Sequence, residues 1–258
     1  MTFIQLIILV TIFFITAFVG VVTGSNSLIT VPVMLQFGIE PAVAIATNMF
    51  GLIFLSIGGV IPFLKTGFMR RKDIPLLTTL TLFGSLLGAI LVLIVPPKQF
   101  PFLISLFLIA ITVFSIFNSS GKNHKTYPKT VSAVSKNIAY LLTFLLGIYG
   151  GFYSGGYVTT LTACYVGFLG MTFVEAVAVT KLLNVFSSLI ATVVFMVKGL
   201  IDYPLAIVLS ITMFCGAYLG GKFAIKMNEI FLKKLFITVV IALAIKTFWQ
   251  WLSSGGGM

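Results

Sequence analysis

Phe18-Val19-Gly20-Val21-Val22-Thr23-Gly24-Ser25-Asn26-Ser27-Leu28-Ile29-Thr30-Val31-Pro32 organises the rest of the chain. A long apolar run enters it and a shorter one leaves it, with small polar residues of weak helix propensity between them. In a soluble protein the middle would be an ordinary loop. Hydrophobic sequence on both sides instead predicts a helix broken inside a bilayer. Backbone groups freed at that depth find no partners in hydrocarbon, so broken backbone there lines a cavity or a ligand site.

Composition agrees with a bilayer. Of 258 residues, 59% are hydrophobic and 8% charged, and the mean hydropathy is +1.19. Successive apolar runs near the ~20 residues of a spanning helix predict an all-α polytopic membrane protein. The longest polar stretch, 118–137, is too short for a soluble domain. The net charge of +11 falls in loops, where it speaks of topology and lipid contact and not of nucleic acid. Cys164 and Cys215 lie in apolar segments without metal-ligand spacing and read as inert packing residues. The start lacks the basic and small-residue pattern of a signal peptide, so the first helix is expected to be retained. The tail 253–258 is given no role.

Working outward, the first helix is expected over Thr2–Val22, the break over Thr23–Ser27 and a short piece over Leu28–Phe37. Spans are expected at Ala42–Leu64, Ile74–Val95 and Phe102–Phe117, with Gly84-x-x-x-Gly88 allowing close helix contact in the second. After the linker 118–137 the plan recurs. A helix over Ile138–Tyr153 breaks at Ser154-Gly155-Gly156-Tyr157, a short piece runs to Leu169, and spans follow at Phe173–Val197, Tyr203–Ala224 and Leu235–Leu252. The halves overlay. Gly20-x-x-x-Gly24 matches Gly151-x-x-x-Gly155, Ala44-Ile45-Ala46-Thr47-Asn48 matches Val177-Ala178-Val179-Thr180-Lys181, Lys65 falls on Lys198, and Asp73 falls on Asp202 after a short gap. The expected organisation is a first repeat over 1–117, a basic cytoplasmic linker over 118–137 and a second repeat over 138–252.

Charge decides how the breaks cross. If each broken segment enters and returns, the loops at 65–73, 118–137 and 222–234 share one side and hold twelve Lys and Arg residues. The opposite loops hold only Lys98 and Lys198. That bias places the basic loops inside and both termini outside. The second half then begins on the opposite side from the first. The repeats are inverted, each a hairpin-like broken helix followed by three spans, an architecture of many secondary transporters.

The chemistry follows from the breaks. Each gives a short helix whose first amides lack intrahelical partners and carry the positive end of the dipole, a setting that binds anions. Gly24 turns the chain, and Ser25, Asn26 and Ser27 cap or donate; Ser154, Gly155 and Gly156 do likewise in the other half. The competing reading is that these residues merely cap a kinked helix packed inside protein. Lys181 lies well inside a span, about 12 Å along its helix from Phe173. A lysine there costs ~3 kcal/mol or more, so it needs a polar cavity and a partner. An anionic substrate fits; a carboxylate elsewhere in the protein is the alternative. Asn184 shares its face. Thr180 precedes it, and Thr47 and Asn48 hold the equivalent places in the first half, where interhelical hydrogen bonding is the alternative role. Glu40 and Glu175 at helix starts read as structural, Asp73 and Asp202 as exposed caps. His124, the sole histidine, sits in the basic linker, which leaves no nucleophile–base pair, and no phosphate-binding loop is present. An enzyme is not expected, and no cofactor or metal is called for.

These residues together resemble a known family. The Gly-rich break with Leu28-Ile29-Thr30-Val31-Pro32, the Gly38 turn and Ala44-Ile45-Ala46-Thr47-Asn48 are similar to the TauE/SafE sulfite exporter family. Ala178-Val179-Thr180-Lys181-Leu182-Leu183-Asn184, with Lys198-Gly199 and Asp202 downstream, resembles that family's second repeat. The resemblance covers nearly the whole chain apart from linker and tail. It implies a secondary transporter, usually an exporter, of small sulfur-containing anions such as sulfite or organosulfonates, coupled to an ion gradient and seated in the cell membrane. Two departures bear on the anion: the first break reads Gly-Ser-Asn-Ser where many relatives have consecutive glycines, and the second continues with Tyr157. Two rivals stand beside this reading. One is an importer or channel for another small solute. The other is a membrane scaffold without a transport cycle, which predicts Lys181 paired with a protein carboxylate.

Overall fold

The computed structural model describes residues 2–24, 26–66, 72–96 and 131–226. Among them the chain forms helices α1 (Phe3–Thr23), α2 (Ser27–Gln36), α3 (Pro41–Val60), α4 (Ile74–Ile94), α5 (Ala133–Phe152), α6 (Tyr157–Phe168), α7 (Phe173–Val197) and α8 (Tyr203–Lys226), with a 3-10 segment at Ile61–Thr66 after α3. The expected spans at Phe102–Phe117 and Leu235–Leu252, and most of the basic loops, lie outside the described residues.

Local chemistry sets the helix ends. Thr2 and Gln5 form a capping box at α1, and Thr172 and Glu175 form one at α7. Pro41 occupies the first turn of α3, where its missing N–H is harmless. The helix expected from Ile138 begins at Ala133 instead, because Ser132 accepts the Ser135 amide and caps it. The span expected to Leu64 tightens after Val60, where Pro62 interrupts the α-helical ladder. Asp202 caps α8 through the Leu205 amide, whereas Asp73 accepts a hydrogen bond from the Tyr140 hydroxyl at 2.8 Å and ties α4 to α5.

Among the described residues six helices are long and apolar enough to cross a membrane: α1, α3 with its 3-10 extension, α4, α5, α7 and α8. Large apolar side chains such as Ile4, Phe83, Val197 and Ile211 point outward, as an acyl solvent permits. With 10 and 12 residues, α2 and α6 reach only about 15 and 18 Å, short of a ~30 Å hydrocarbon core. Each is thus too short to span alone.

Packing exchanges the halves. α4 rests on α5 and α7, α8 rests on α1 and α3, and α3 meets α7 in the centre. Small residues bring these helices close. A Cβ at Gly84 would stand 2.5 Å from the Phe144 carbonyl oxygen, and one at Gly88 would collide with that of Ile148. On the other seam, a Cβ at Gly216 would lie 2.7 Å from the Phe14 oxygen, and one at Gly220 would collide with that of Phe18. The same Gly-x-x-x-Gly device thus closes α4 on α5 and α8 on α1. Cys164 is buried as expected; Cys215 faces outward.

Candidate functional site

The two breaks lie side by side in the interior. α1 ends on Gly24, whose φ of 71° suits glycine and whose amide returns to the Gly20 carbonyl at 2.8 Å. A side chain there is excluded a second time, because a Cβ would stand 2.6 Å from the Thr159 amide of α6. The second break turns through Ser154 and Gly156, with φ of 66° and 80°. Ser154 is buried in a conformation that costs a non-glycine residue of order 1 kcal/mol.

Hydrogen bonds stitch one break to the other. The Thr159 hydroxyl donates to the Thr23 carbonyl at 2.5 Å, and the Tyr153 hydroxyl to the Ser27 carbonyl at 3.2 Å. Gly155 packs against Leu28, and the Tyr149 hydroxyl donates to the Gly155 carbonyl. Carbonyls freed by each break are therefore answered by side chains of the second half, as a buried backbone requires.

The first break has its own support in α3. Asn48 Nδ2 donates to the Ser27 hydroxyl at 3.0 Å, and the Thr30 hydroxyl donates to Asn48 Oδ1 at 2.8 Å. Asn26 was expected to cap α2 but makes no side-chain cap bond; it is in a helical conformation, and its carbonyl accepts the Ile29 and Thr30 amides. Its carboxamide is buried with both polar atoms unpartnered. Ser25 lies outside the described residues.

Lys181 reaches this centre from α7. It is 1% exposed, and its ammonium donates to the Gly20 carbonyl at 2.9 Å, the same oxygen that accepts the Gly24 amide. The contact sits at the carbonyl-rich end of α1, where the helix dipole favours a cation. Its stem lies along α3, 3.5 Å from where a Gly59 Cβ would be. Among the described residues no carboxylate forms an ion pair with it. One turn on, Asn184 Nδ2 donates to the Ser56 hydroxyl at 2.6 Å, while its Oδ1 is unpartnered.

Two expected residues stand apart. The Thr180 hydroxyl pairs with Thr162 at 3.1 Å and holds α6 on α7. The Thr47 hydroxyl accepts the Asp202 amide at 3.2 Å, at the turn into α8. For Thr47 this is the bonding between elements named as its alternative role. Sequence reading missed Tyr149, Tyr153 and Thr159, which answer the broken backbone. A signal existed for the tyrosines: Tyr149, Tyr153 and Tyr157 recur every four residues into the break, and buried phenols seek partners.

Replacing Asn48 with alanine removes two hydrogen bonds and leaves Ser27 and Thr30 buried without that partner. We expect a loss of about 2–3 kcal/mol of stability, read as a lower thermal midpoint in detergent.

Comparison with known proteins converges on one group. The family model for Sulfite exporter TauE/SafE matches residues 8–247. A probable membrane transporter protein of Sinorhizobium sp is 27% identical over 90% of this chain and 88% of its own length. Another, of Haemophilus influenzae, is 25% identical over 93% of each chain, and a third, of Bacillus subtilis, is 25% identical over 88% of this chain and 93% of its own. No solved structure matches the chain.

Proposed function

Because the chain belongs to the TauE/SafE sulfite exporter family of membrane transporters, we propose that it is a secondary transporter that exports small sulfur-containing anions, such as sulfite or organosulfonates, by alternating access. The observation that carries this reading is Lys181. A fully buried ammonium held by a single neutral carbonyl is left short of charge compensation. An oxyanion supplies it; the scaffold reading needs a carboxylate partner, and among the described residues none pairs with Lys181.

In this reading the anion sits where the breaks meet. Lys181 gives charge, and the unpartnered amide of Asn26 donates to an anion oxygen. Gly24–Ser27 and Ser154–Gly156 supply the surrounding backbone and hydroxyl donors, with Asn48 and Asn184 behind them. Thr47 and Thr180 act as positioning residues for the helices that carry Asn48 and Lys181. The exchange of packing partners between the halves, and the two short returning arms, support an inverted repeat, the charge bias supports basic loops inside and both termini outside, and the cell membrane is the proposed seat. Export is proposed on the family's name, with an ion gradient as the energy source.

Uptake into proteoliposomes of known orientation tests this. Sulfite, sulfoacetate, thiosulfate and sulfate are offered in turn, and at least one of the first three is expected to move saturably and to raise the thermal midpoint. If none does either, the substrate class is wrong.

A further inference from the structure

α7 carries buried polarity that its counterpart lacks. Lys181, Asn184, Ser188 and Thr192 fall within an arc of about 80° on one face, and none is more than 2% exposed. Asn184 Oδ1, the Ser188 hydroxyl and the Thr192 hydroxyl have no hydrogen-bond partner. Several other buried helical hydroxyls donate to the carbonyl four residues back, as Thr143, Thr160, Thr162 and Ser210 do, though Thr81 also lacks a partner. Ser188 and Thr192 forgo even that local partner.

The fold does not require this. Laying Thr47-Asn48 over Thr180-Lys181 brings Asn184, Ser188 and Thr192 onto Gly51, Leu55 and Gly59, none of which has a polar side chain. The α3–α7 seam runs antiparallel, with Gly59 beside the Lys181 stem and Ser56 bonded to Asn184. Continued at that register, Ser188 stands level with Leu52 and Thr192 with Asn48. The orphan groups therefore fill the interval between the Lys181 ammonium and the Asn48–Ser27–Thr30 cluster, about 16 Å from first to last along the helix. A seam that stayed dry would be more stable with apolar residues in these places.

We propose that Asn184, Ser188 and Thr192 line a hydrated passage that opens along the α3–α7 seam and carries the oxyanion between Lys181 and the C-terminal end of α7. The Ser188 and Thr192 hydroxyls donate to anion oxygens, and Asn184 Oδ1 accepts from water or from the proton of a singly protonated oxyanion. This inference rests on the transport reading of the central site and adds Ser188 and Thr192 to it.

Single cysteines test it in a background carrying Cys164→Ala and Cys215→Ala. Ser188→Cys and Thr192→Cys are compared with Leu189→Cys and Val193→Cys, whose parent residues face outward. The probe is the impermeant anion sulfonatoethyl methanethiosulfonate, applied to proteoliposomes. Because only a hydrated thiol ionises, positions 188 and 192 should react about ten-fold faster than 189 and 193. Sulfoacetate, which leaves the probe intact, should slow them. Slow reaction at 188 and 192 in a protein that still transports overturns the passage. Fast, unprotected reaction in a protein that moves none of the sulfur anions keeps the passage and overturns the substrate. The pair Ser188→Ala with Thr192→Val, checked for monodisperse elution, should lower transport about five-fold without lowering the thermal midpoint, as removal of unpaired polar groups does not weaken a fold. Unchanged transport by that variant also overturns it.

Discussion

Lys181→Met is expected to reduce initial transport about 100-fold, the scale of losing a charge-assisted contact worth about 3 kcal/mol. It should leave the thermal midpoint unchanged or higher. The two expectations come from one geometry. Methionine keeps an unbranched stem against Gly59, so the packing on α3 survives. What disappears is an ammonium that is 1% exposed and bonded to one carbonyl, and taking such a charge out of water is seldom repaid by a single neutral partner. The Gly20 oxygen retains the Gly24 amide and is not orphaned. Transport in proteoliposomes and thermal midpoint in detergent, measured on the same preparation, separate the roles. A protein that melts lower yet transports normally would make Lys181 a clamp on the end of α1, and the anion assignment would fall.

The second large effect concerns the seams that join the halves. Gly88→Ala and Gly220→Ala should each cost about 2–3 kcal/mol and sharply reduce the yield of monodisperse protein. In both, the atom met by the new methyl is a carbonyl oxygen of the facing helix, Ile148 or Phe18, and backbone cannot rotate away as a side chain tip does. Gly167→Ala is the control. It lies in α6 at normal φ with nothing within 4 Å of the added carbon, so it should be neutral or slightly stabilising. The two seam variants share no neighbours and should add in the double variant. Wild-type melting of either one would mean that the close approach of α4 to α5, or of α8 to α1, is not what holds that seam.

The sequence yielded the helices and their breaks wherever the cause was local. α7 was placed at its observed ends, Phe173 and Val197, because Thr172 and Glu175 announce its start and Lys198-Gly199 its stop. The breaks were visible because Gly24 and Gly155-Gly156 interrupt apolar runs. The start of α5 was missed because Val134-Ser135-Lys136-Asn137 looks like linker by composition, and only the Ser132 cap reveals a helix. The site was half legible. Lys181, Asn26 and Asn48 could be named from residue type and depth. Their partners could not, because the acceptor of Lys181 is a backbone carbonyl 161 positions away, and every residue has one. Thr159 with Thr23 and Tyr153 with Ser27 pair across 136 and 126 residues, a distance at which one sequence leaves no local mark. Thr47 and Thr180 show the converse: the right depth and the right chemistry, spent on neighbouring helices.

The exchange of packing partners has a mechanical consequence. Since α8 lies on α1 and α3, and α4 on α5 and α7, the described helices form one group of α1, α2, α3 and α8 and another of α4, α5, α6 and α7, which meet where α3 crosses α7. These groups cut across the two halves of the sequence. A rocking motion that keeps each packed seam intact slides along the α3–α7 crossing, and among the described residues the turn at 198–202 passes from one group to the other. The covalent link between α7 and α8 is therefore also a joint between the two packed groups.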